Sequence, residues 1–446
     1  MIFILPLLIF GSYFITLFTV DNSLDLYFFI TNFFLLISFY FGLISYKEEY
    51  YSLKNIYCLF GLVAFVFSPA LEFFNGIYYW GGREIDRDSF IISNLIILFF
   101  NVSFFVFYSV FKSRPTIILN IIDRSLSIEE DINKNRSLLY SIALVLISCL
   151  IIWEYNNFNI LGVLVRGGSV DRVDSSTTIF LVVNYFIKPF LAIISLVFLF
   201  LSTNRIISFL FLVLFLFHVA PVSVARFYAI TLYLPFFILM FPRVFNVTYI
   251  FPIYFFGGLM VIFPFLNKFR YFSSDQEISF DIDYSFITSG HLDAYQNFVR
   301  AVDTDFISWG HQLLGSLLFF VPRSLWQSKP IGSGHQLSEN EDLYMSNISM
   351  PYIAEGYINF HMFGVLMFSI VLAFLCAKFD RFYWDRKKIT DKVDTISILY
   401  LFMLGFLLFI LRGDLLSSIS YFVAFILSFF TVVVPIKLYS RLRINI

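Results

Sequence analysis

Twelve apolar stretches constrain the fold of this chain more than any other feature. A helix needs about 20 apolar residues to cross a hydrocarbon core of roughly 30 Å, and most of these stretches meet that length. With 59% hydrophobic and only 14% charged residues, the sequence predicts an all-α polytopic membrane protein that forms a single integral membrane domain over residues 1–446. The stretches lie at about 2–20, 25–45, 56–74, 90–111, 137–153, 179–203, 206–222, 227–241, 247–266, 358–377, 395–411 and 415–436.

The distribution of basic residues predicts the orientation of these spans. With the N-terminus in the cytoplasm, 18 of the 30 Lys and Arg residues fall in inside segments and 11 in outside segments. The first stretch has no basic region before it and no small-residue cleavage site after it. It therefore indicates a retained helix rather than a signal peptide. The sequence therefore predicts about 12 transmembrane helices with both termini cytoplasmic.

One large external loop, residues 267–357, interrupts the apolar pattern and is named the island here. It contains His291, His311 and His335, three of the five histidines of the chain. Residues 306–321 within it have apolar positions at helical spacing with polar positions opposite, and Pro322 follows. This pattern predicts an amphipathic helix lying on the outer membrane surface.

Outward-facing basic residues are the first candidates for substrate binding, because Lys and Arg residues of membrane proteins usually lie on the cytoplasmic side. They are Arg166, Arg172, Arg226, Arg270, Arg323 and Lys329. Guanidinium groups bind phosphate in a bidentate manner and stay charged at physiological pH. Such a cluster would suit a lipid pyrophosphate at the membrane surface. The structural alternative is that each arginine pairs with a nearby carboxylate or with lipid headgroups.

Two residues are candidates for a general base, and the sequence leaves both open. His335 follows Gly332-Ser333-Gly334, where we expect a flexible turn, and imidazole titrates near neutral pH. Glu355 lies where the chain re-enters the membrane, and its structural alternative is an acidic residue that stabilises a helix N-terminus. Lys188, directly before Pro189, is a further candidate because a lysine inside a span is costly.

Several common catalytic patterns are missing from the sequence. It contains no Gly-rich phosphate loop, no Cys-x-x-Cys or His-x-Glu metal spacing and no Gly-x-Ser-x-Gly motif. The cysteines fall inside apolar runs, and the net charge of −1 gives no indication of a nucleic-acid partner. We therefore expect no cofactor and no metal.

Two motifs resemble those of Wzy-type O-antigen polymerases, the oligosaccharide repeat-unit polymerases of bacterial inner membranes. They are Arg323-Ser324-Leu325-Trp326-Gln327-Ser328-Lys329-Pro330 and, after a Gly/Ser turn, Glu355-Gly356-Tyr357-Ile358-Asn359-Phe360, which leads into a span with Gly364. The twelve spans, the large late outer loop and the turn that carries Arg226 are similar to the family architecture.

The resemblance implies a metal-independent membrane glycosyltransferase with its active site facing the periplasm. Such an enzyme moves a growing glycan from one undecaprenyl-pyrophosphate carrier onto the sugar of a second carrier-linked repeat unit, in contact with membrane lipid. A chain-length regulator protein is an implied candidate partner. The outward cations would neutralise the leaving pyrophosphate, His335 or Glu355 would accept a proton, and Trp326 and Tyr357 could stack on sugar rings.

Two alternative functions share parts of this pattern. An O-antigen ligase has the same layout but uses the lipid A core as acceptor. A flippase for the same lipid carrier would be a transporter, and transporters usually show internal repeats and polar sites near the midplane. The sequence shows no obvious repeat, and apart from Lys188 the candidate charges lie outside the spans.

Overall fold

All regular secondary structure in the described part of the chain is helical, and this part contains no β-strand. The computed structural model describes residues 4–18, 25–46, 48–114, 127–165, 177–262, 265, 290–389 and 392–441. The helices are α1 (Ile4–Phe18), α2 (Leu26–Ile44), α3 (Leu53–Leu62), α4 (Ser68–Phe74), α5 (Arg87–Ser113), α6 (Asn135–Tyr155), α7 (Ile160–Leu164), α8 (Thr177–Val182), α9 (Lys188–Leu201), α10 (Arg205–His218), α11 (Arg226–Met240), α12 (Pro242–Phe245), α13 (Ile250–Gly257), α14 (Ala294–Asp303), α15 (His311–Leu317), α16 (Ser333–Asn340), α17 (Tyr352–Ile389), α18 (Thr395–Arg412) and α19 (Leu415–Arg441).

Nine helical stretches within these ranges are long and apolar enough to cross a membrane. They correspond to nine of the twelve predicted spans, so the class of polytopic helical membrane protein is confirmed. The other three predicted spans are represented by shorter helices: α1 and α11 have 15 residues each, and α13 has eight, followed by the π-helical segment Gly258–Ile262. The count of twelve and the orientation stay predictions.

Two hydrophobic clusters form the interior, and α18 contributes to both. The first cluster contains side chains of α1 to α5, α14 and α17, and the second contains side chains of α6, α9, α10, α11 and α19. Tyr400 and Leu401 of α18 face the first cluster, whereas Phe402 and Phe406 face the second. This helix therefore joins the two halves of the bundle.

A buried carboxylate connects helices that are far apart in sequence at one end of the bundle. Asp380 of α17 is fully buried. Its oxygens accept hydrogen bonds from the backbone N–H groups of Leu53 (2.8 Å) and Lys54 (3.2 Å), which begin α3. They also accept from the hydroxyls of Tyr108 (2.9 Å) and Tyr400 (2.7 Å). One side chain thus satisfies orphan donors of a helix N-terminus and fixes three neighbouring helices.

The described part of the island covers the opposite end of the bundle, called the island end here. A buried arginine, Arg300 of α14, holds the loop between α4 and α5 against it. Its guanidinium donates to the carbonyl oxygens of Gly81 (2.7 Å), Arg83 (3.2 Å) and Tyr79 (3.3 Å). The exposed Arg83 also bridges to Asp303 of α14. The island is therefore attached to the bundle through charged hydrogen bonds as well as through the apolar side chains that α14 contributes to the first cluster.

The amphipathic helix predicted over 306–321 is shorter in the structure. Trp309 and Gly310 have positive φ angles (50° and 85°), so helix α15 begins only at His311 and ends at Leu317. Its polar residues Gln312 and Ser316 are buried, whereas Leu314 and Leu317 are about half exposed. Gln312 donates to Gln336 of α16. The polar face contacts protein, and the apolar face points outward.

Candidate functional site

A sharp bend in α17 forms the centre of the candidate site. Phe360 (φ −149°, ψ 29°) and His361 (φ 52°, ψ −144°) break the helix into a first arm, residues 352–359, and a second arm, residues 362–389. The arms touch backbone to backbone, since a Cβ atom on Gly364 would lie only 1.9 Å from the carbonyl oxygen of Gly356. Only glycine allows this approach. The bend fixes Glu355, which directly precedes Gly356.

The Glu355 carboxyl group is buried at the junction of three helices. The side chain is 1% exposed. Its Oε1 atom accepts hydrogen bonds from the hydroxyl of Ser333 in the first turn of α16 and from the backbone N–H of Leu415 (2.8 Å) at the start of α19. Its Oε2 atom has no hydrogen-bond partner among the described residues. One acceptor oxygen of a buried carboxyl group is therefore available for another donor.

The turn between α18 and α19 brings further charged residues to this junction. Arg412 donates to Asp293 (3.1 Å) and to the carbonyl oxygen of His291 (3.1 Å) in the island. Asp414 caps α19 by accepting from the N–H of Ser417 (2.9 Å), and its Oδ1 atom would lie 3.0 Å from a Cβ atom on Gly332. Sequence reasoning did not single out Arg412 or Asp414. The signal was the very short polar turn between two predicted spans.

Arg323 and Lys329 lie together in a tight loop on the island surface. Arg323 donates to the carbonyl oxygens of Lys329 (2.6 Å) and Pro330 (3.2 Å), and the Lys329 ammonium donates to those of Phe319 (2.6 Å) and Val321 (2.9 Å). Desolvation and then repulsion by Arg323 lower the pKa of Lys329. Within the described ranges neither cation forms an ion pair with a carboxylate. The loop, residues 319–330, is named the basic loop.

The basic loop leads directly to Glu355. Pro330 packs against α15, where a Cβ atom on Gly315 would be 2.2 Å from the Pro330 ring. Three residues later, Ser333 begins α16 and donates to Glu355. The predicted phosphate-binding segment and the predicted carboxylate base are therefore joined by a short connection that is partly buried.

His335 lies within the first turn of α16 rather than in a flexible turn. Its Nδ1 atom is 3.1 Å from the carbonyl oxygen of Ser346, and its Nε2 atom is 3.2 Å from Glu339. The side chain is 40% exposed. These contacts direct the imidazole toward Ser346 and Glu339, whereas Ser333 of the same helix binds Glu355.

The two predicted sugar-stacking aromatics have different surroundings. Trp326 of the basic loop is partly exposed, donates to the hydroxyl of Ser328 (3.0 Å) and contacts the ring of His311 edge-on. Tyr357 is only 4% exposed, and its hydroxyl donates to Asp305 (3.3 Å). Its ring packs against His361 with centroids 4.8 Å apart. Trp326 has a face available to a ligand, whereas the ring of Tyr357 supports the bend.

The remaining predicted substrate-binding residues cannot be placed in this arrangement. Arg166, Arg172 and Arg270 lie outside the described residues. Arg226 is described only by its backbone, as the first residue of α11. Within the described ranges, no group of three or more His, Cys, Asp or Glu side chains is placed to hold a metal ion.

Comparison with known proteins adds one finding. Residues 347–442 match the model of the family described as O-antigen polysaccharide polymerase Wzy. The matched segment includes Glu355, the bend of α17, the Arg412–Asp414 turn and all of α19, but not the basic loop. Neither a curated protein nor a solved structure matches the chain. The family match confirms the predicted resemblance over residues 347–442.

Proposed function

We propose that this protein is a glycosyltransferase that polymerises undecaprenyl-pyrophosphate-linked repeat units into O-antigen polysaccharide. The match of residues 347–442 to the polymerase family carries this proposal, because it covers Glu355 and the bend that positions it. The substrates are a lipid-linked glycan donor and a lipid-linked acceptor in the membrane. We place the protein in the bacterial inner membrane with the island end facing the periplasm, as the distribution of basic residues predicts.

The basic loop is suited to the departing pyrophosphate. When the glycosidic bond forms, the bond between the donor sugar and pyrophosphate breaks, and the leaving group takes the electron pair. Arg323 uses two of its five N–H donors within the loop, so three remain for a ligand. Lys329 uses two of its three N–H donors there, so one remains. Fixed cationic donors aimed at developing negative charge lower the barrier of such a step.

Glu355 is the base that we favour for the acceptor hydroxyl. Its free Oε2 atom can accept the proton that the hydroxyl loses as its oxygen attacks the donor sugar. Because the residue is 1% exposed, neighbouring groups must move before the acceptor reaches the carboxyl group. His335 remains the rival base, since it is exposed but already contacts Glu339.

Complementation of a deletion strain tests this proposal through the length distribution of lipopolysaccharide on a gel. The wild-type chain should restore a ladder, and the empty strain should carry a single repeat unit. We expect Glu355→Gln to abolish the ladder, because glutamine keeps an oxygen for Ser333 and Leu415 but cannot accept the proton. His335→Ala should retain the ladder. Arg323→Met combined with Lys329→Met should shorten or abolish it.

Arg83→Met is the matched control for the loss of cationic charge at the island end. Arg83 is exposed and forms surface ion pairs, so its loss should leave the ladder unchanged. Normal ladders at normal protein levels for Glu355→Gln and for the double variant would refute the site. A deletion strain whose lipid A core carries no repeat unit at all would identify a ligase instead.

A further inference from the structure

Three cations lie together at the end of the bundle where Asp380 is buried, far from the Glu355 site. They are Arg114, which directly follows the last residue of α5, and Lys378 and Arg381 in the second arm of α17. Lys378 is repelled electrostatically by both arginines, so the three charges are close neighbours. They are named the distal cations here. The mechanism proposed above uses none of them.

Hydrogen bonds to the end of α5 hold two of the distal cations in place. The Lys378 ammonium donates to the carbonyl oxygen of Arg114 (2.7 Å), and Arg381 donates to that of Lys112 (2.7 Å). The last carbonyls of a helix have no partner within the helix, so both cations cap α5. Arg381 also pairs with Asp385 (3.1 Å). Lys378 uses only one of its three N–H donors in this way.

Capping does not explain the third distal cation. The Arg114 side chain is exposed, and within the described ranges its guanidinium forms neither a hydrogen bond nor an ion pair. By contrast, Lys388 near the same end is paired with Glu48 (2.8 Å). Arg114 therefore presents five N–H donors and a full charge beside the remaining donors of Lys378.

Exposed apolar side chains accompany these charges on both helices. Val110 precedes Arg114 by four residues, and Phe374 precedes Lys378 by four, which is about one helical turn. These two apolar side chains are 42% and 45% exposed. The rings of Phe111 and Phe374 meet edge-on, with centroids 5.3 Å apart, so the two helices adjoin at this level. The surface thus changes from apolar to cationic within one turn on each helix.

We propose that this surface binds an anionic phospholipid, with the phosphate on the distal cations and an acyl chain against Val110 and Phe374. Charge complementarity favours an anionic headgroup, and the adjacent apolar side chains favour a lipid over a soluble anion. Basic sites between transmembrane helices are known to bind anionic headgroups. A bound lipid would join α5 to α17 beside the cap that Lys378 provides. The proposal does not depend on the proposed polymerase function.

Native mass spectrometry of the purified full-length protein in detergent tests this site. The probe is phosphatidylglycerol, and phosphatidylcholine with the same acyl chains is the zwitterionic comparison. Wild-type protein should bind phosphatidylglycerol roughly tenfold more tightly. Arg114→Gln should weaken that binding about fivefold, the effect of one charge near a membrane surface. Its phosphatidylcholine binding and its melting temperature without added lipid should stay unchanged, since Arg114 has no protein partner to lose.

Lys388→Gln is the matched control, because it removes an exposed charge at the same end that already has a carboxylate partner. It should bind phosphatidylglycerol as wild type does. Combining Arg114→Gln with Lys378→Gln should weaken binding about 25-fold, as two fivefold losses multiply. Because Lys378 also caps α5, Arg114→Gln alone carries the test if the double variant does not fold.

Four outcomes would overturn the proposal. They are equal affinity of the wild type for the two lipids, wild-type binding by Arg114→Gln, an equal loss in Lys388→Gln, and a rise in melting temperature with inorganic phosphate as large as with phosphatidylglycerol. The last two would indicate a general charge effect and a site for a soluble anion, respectively. No glycan substrate enters these measurements, so failure of the polymerase proposal would appear separately, as a normal ladder for Glu355→Gln.

Discussion

The close contact between Gly356 and Gly364 predicts a strong effect of a single methyl group. In Gly364→Ala the new Cβ atom would lie 1.9 Å from the Gly356 carbonyl oxygen, whereas ordinary contact begins near 3.4 Å. The two arms of α17 must therefore separate by about 1.5 Å, and such overpacking costs about 1–3 kcal/mol of folding free energy. Because Glu355 precedes Gly356, the displacement reaches the proposed base. A shift of about 1 Å can reduce a rate about 100-fold.

Two measurements check this effect separately. The apparent melting temperature of the purified variant in detergent should fall, and the lipopolysaccharide ladder of the complemented strain should be lost. Gly257→Ala is the matched control, because a Cβ atom added at Gly257 would have nothing within 4 Å, and alanine favours helix. It should leave both readouts unchanged or raise stability slightly. A Gly364→Ala variant with the melting temperature and ladder of wild type would refute the role of this contact.

Three further predictions concern the buried charges and the role of metal ions. Arg300→Met should destabilise the protein by about 3 kcal/mol or more, because three loop carbonyls lose their donor. Arg83→Met, which removes only exposed ion pairs, should cost at most about 1 kcal/mol. Equal melting temperatures for the two variants would contradict this ranking. Asp380→Ala should greatly reduce the yield of folded protein in size-exclusion chromatography, since four donors lose their acceptor; a normal yield would count against that role. Because Arg323 and Lys329 supply the proposed positive charge, polymerisation in isolated membranes should persist after EDTA treatment, and a loss that Mg²⁺ restores would show that a metal ion is required.

The sequence predicted the membrane class because apolar length alone determines which segments can cross a bilayer. It predicted helix lengths less well where the backbone departs from regular helix. Tyr249 has a positive φ of 66° before α13, and Pro235 lies inside α11. A hydropathy window does not register either feature. The apolar stretch at 247–266 therefore overestimates α13, whereas the stretch at 227–241 has the same length as α11, 15 residues.

The surface helix shows a different limit of sequence reasoning. Periodicity identified which residues share a face but not which face turns inward. In water the apolar face of such a helix would pack against the protein. Next to lipid, the apolar face can instead point away from the protein. Here Gln312 bonds to Gln336 inside the protein, and Leu317 points outward. A helix whose polar face points into the protein needs a hydrogen-bond partner from another segment. Local sequence does not identify that partner.

At the candidate site, the sequence identified residues whose chemistry is unusual for their position, namely Glu355 and the cations of the basic loop. It could not identify Asp293 or Arg412, because their importance arises from a contact between segments 119 residues apart. It also assigned Tyr357 to sugar stacking, although the ring is buried against His361. Residue type suggests what a side chain can do, but only the fold determines what it reaches.

The carboxylate that caps α3 has a consequence for how the protein is made. Leu53 and Lys54 emerge from the ribosome early, yet their acceptor, Asp380, is 327 and 326 residues later in the chain. Until α17 is synthesised and inserted, the N-terminus of α3 lacks its final hydrogen-bond acceptor. Insertion of the N-terminal helices is therefore separate in time from their consolidation. The segment that carries the candidate base is synthesised late, and it also supplies the hydrogen-bond acceptor for a helix that is synthesised early.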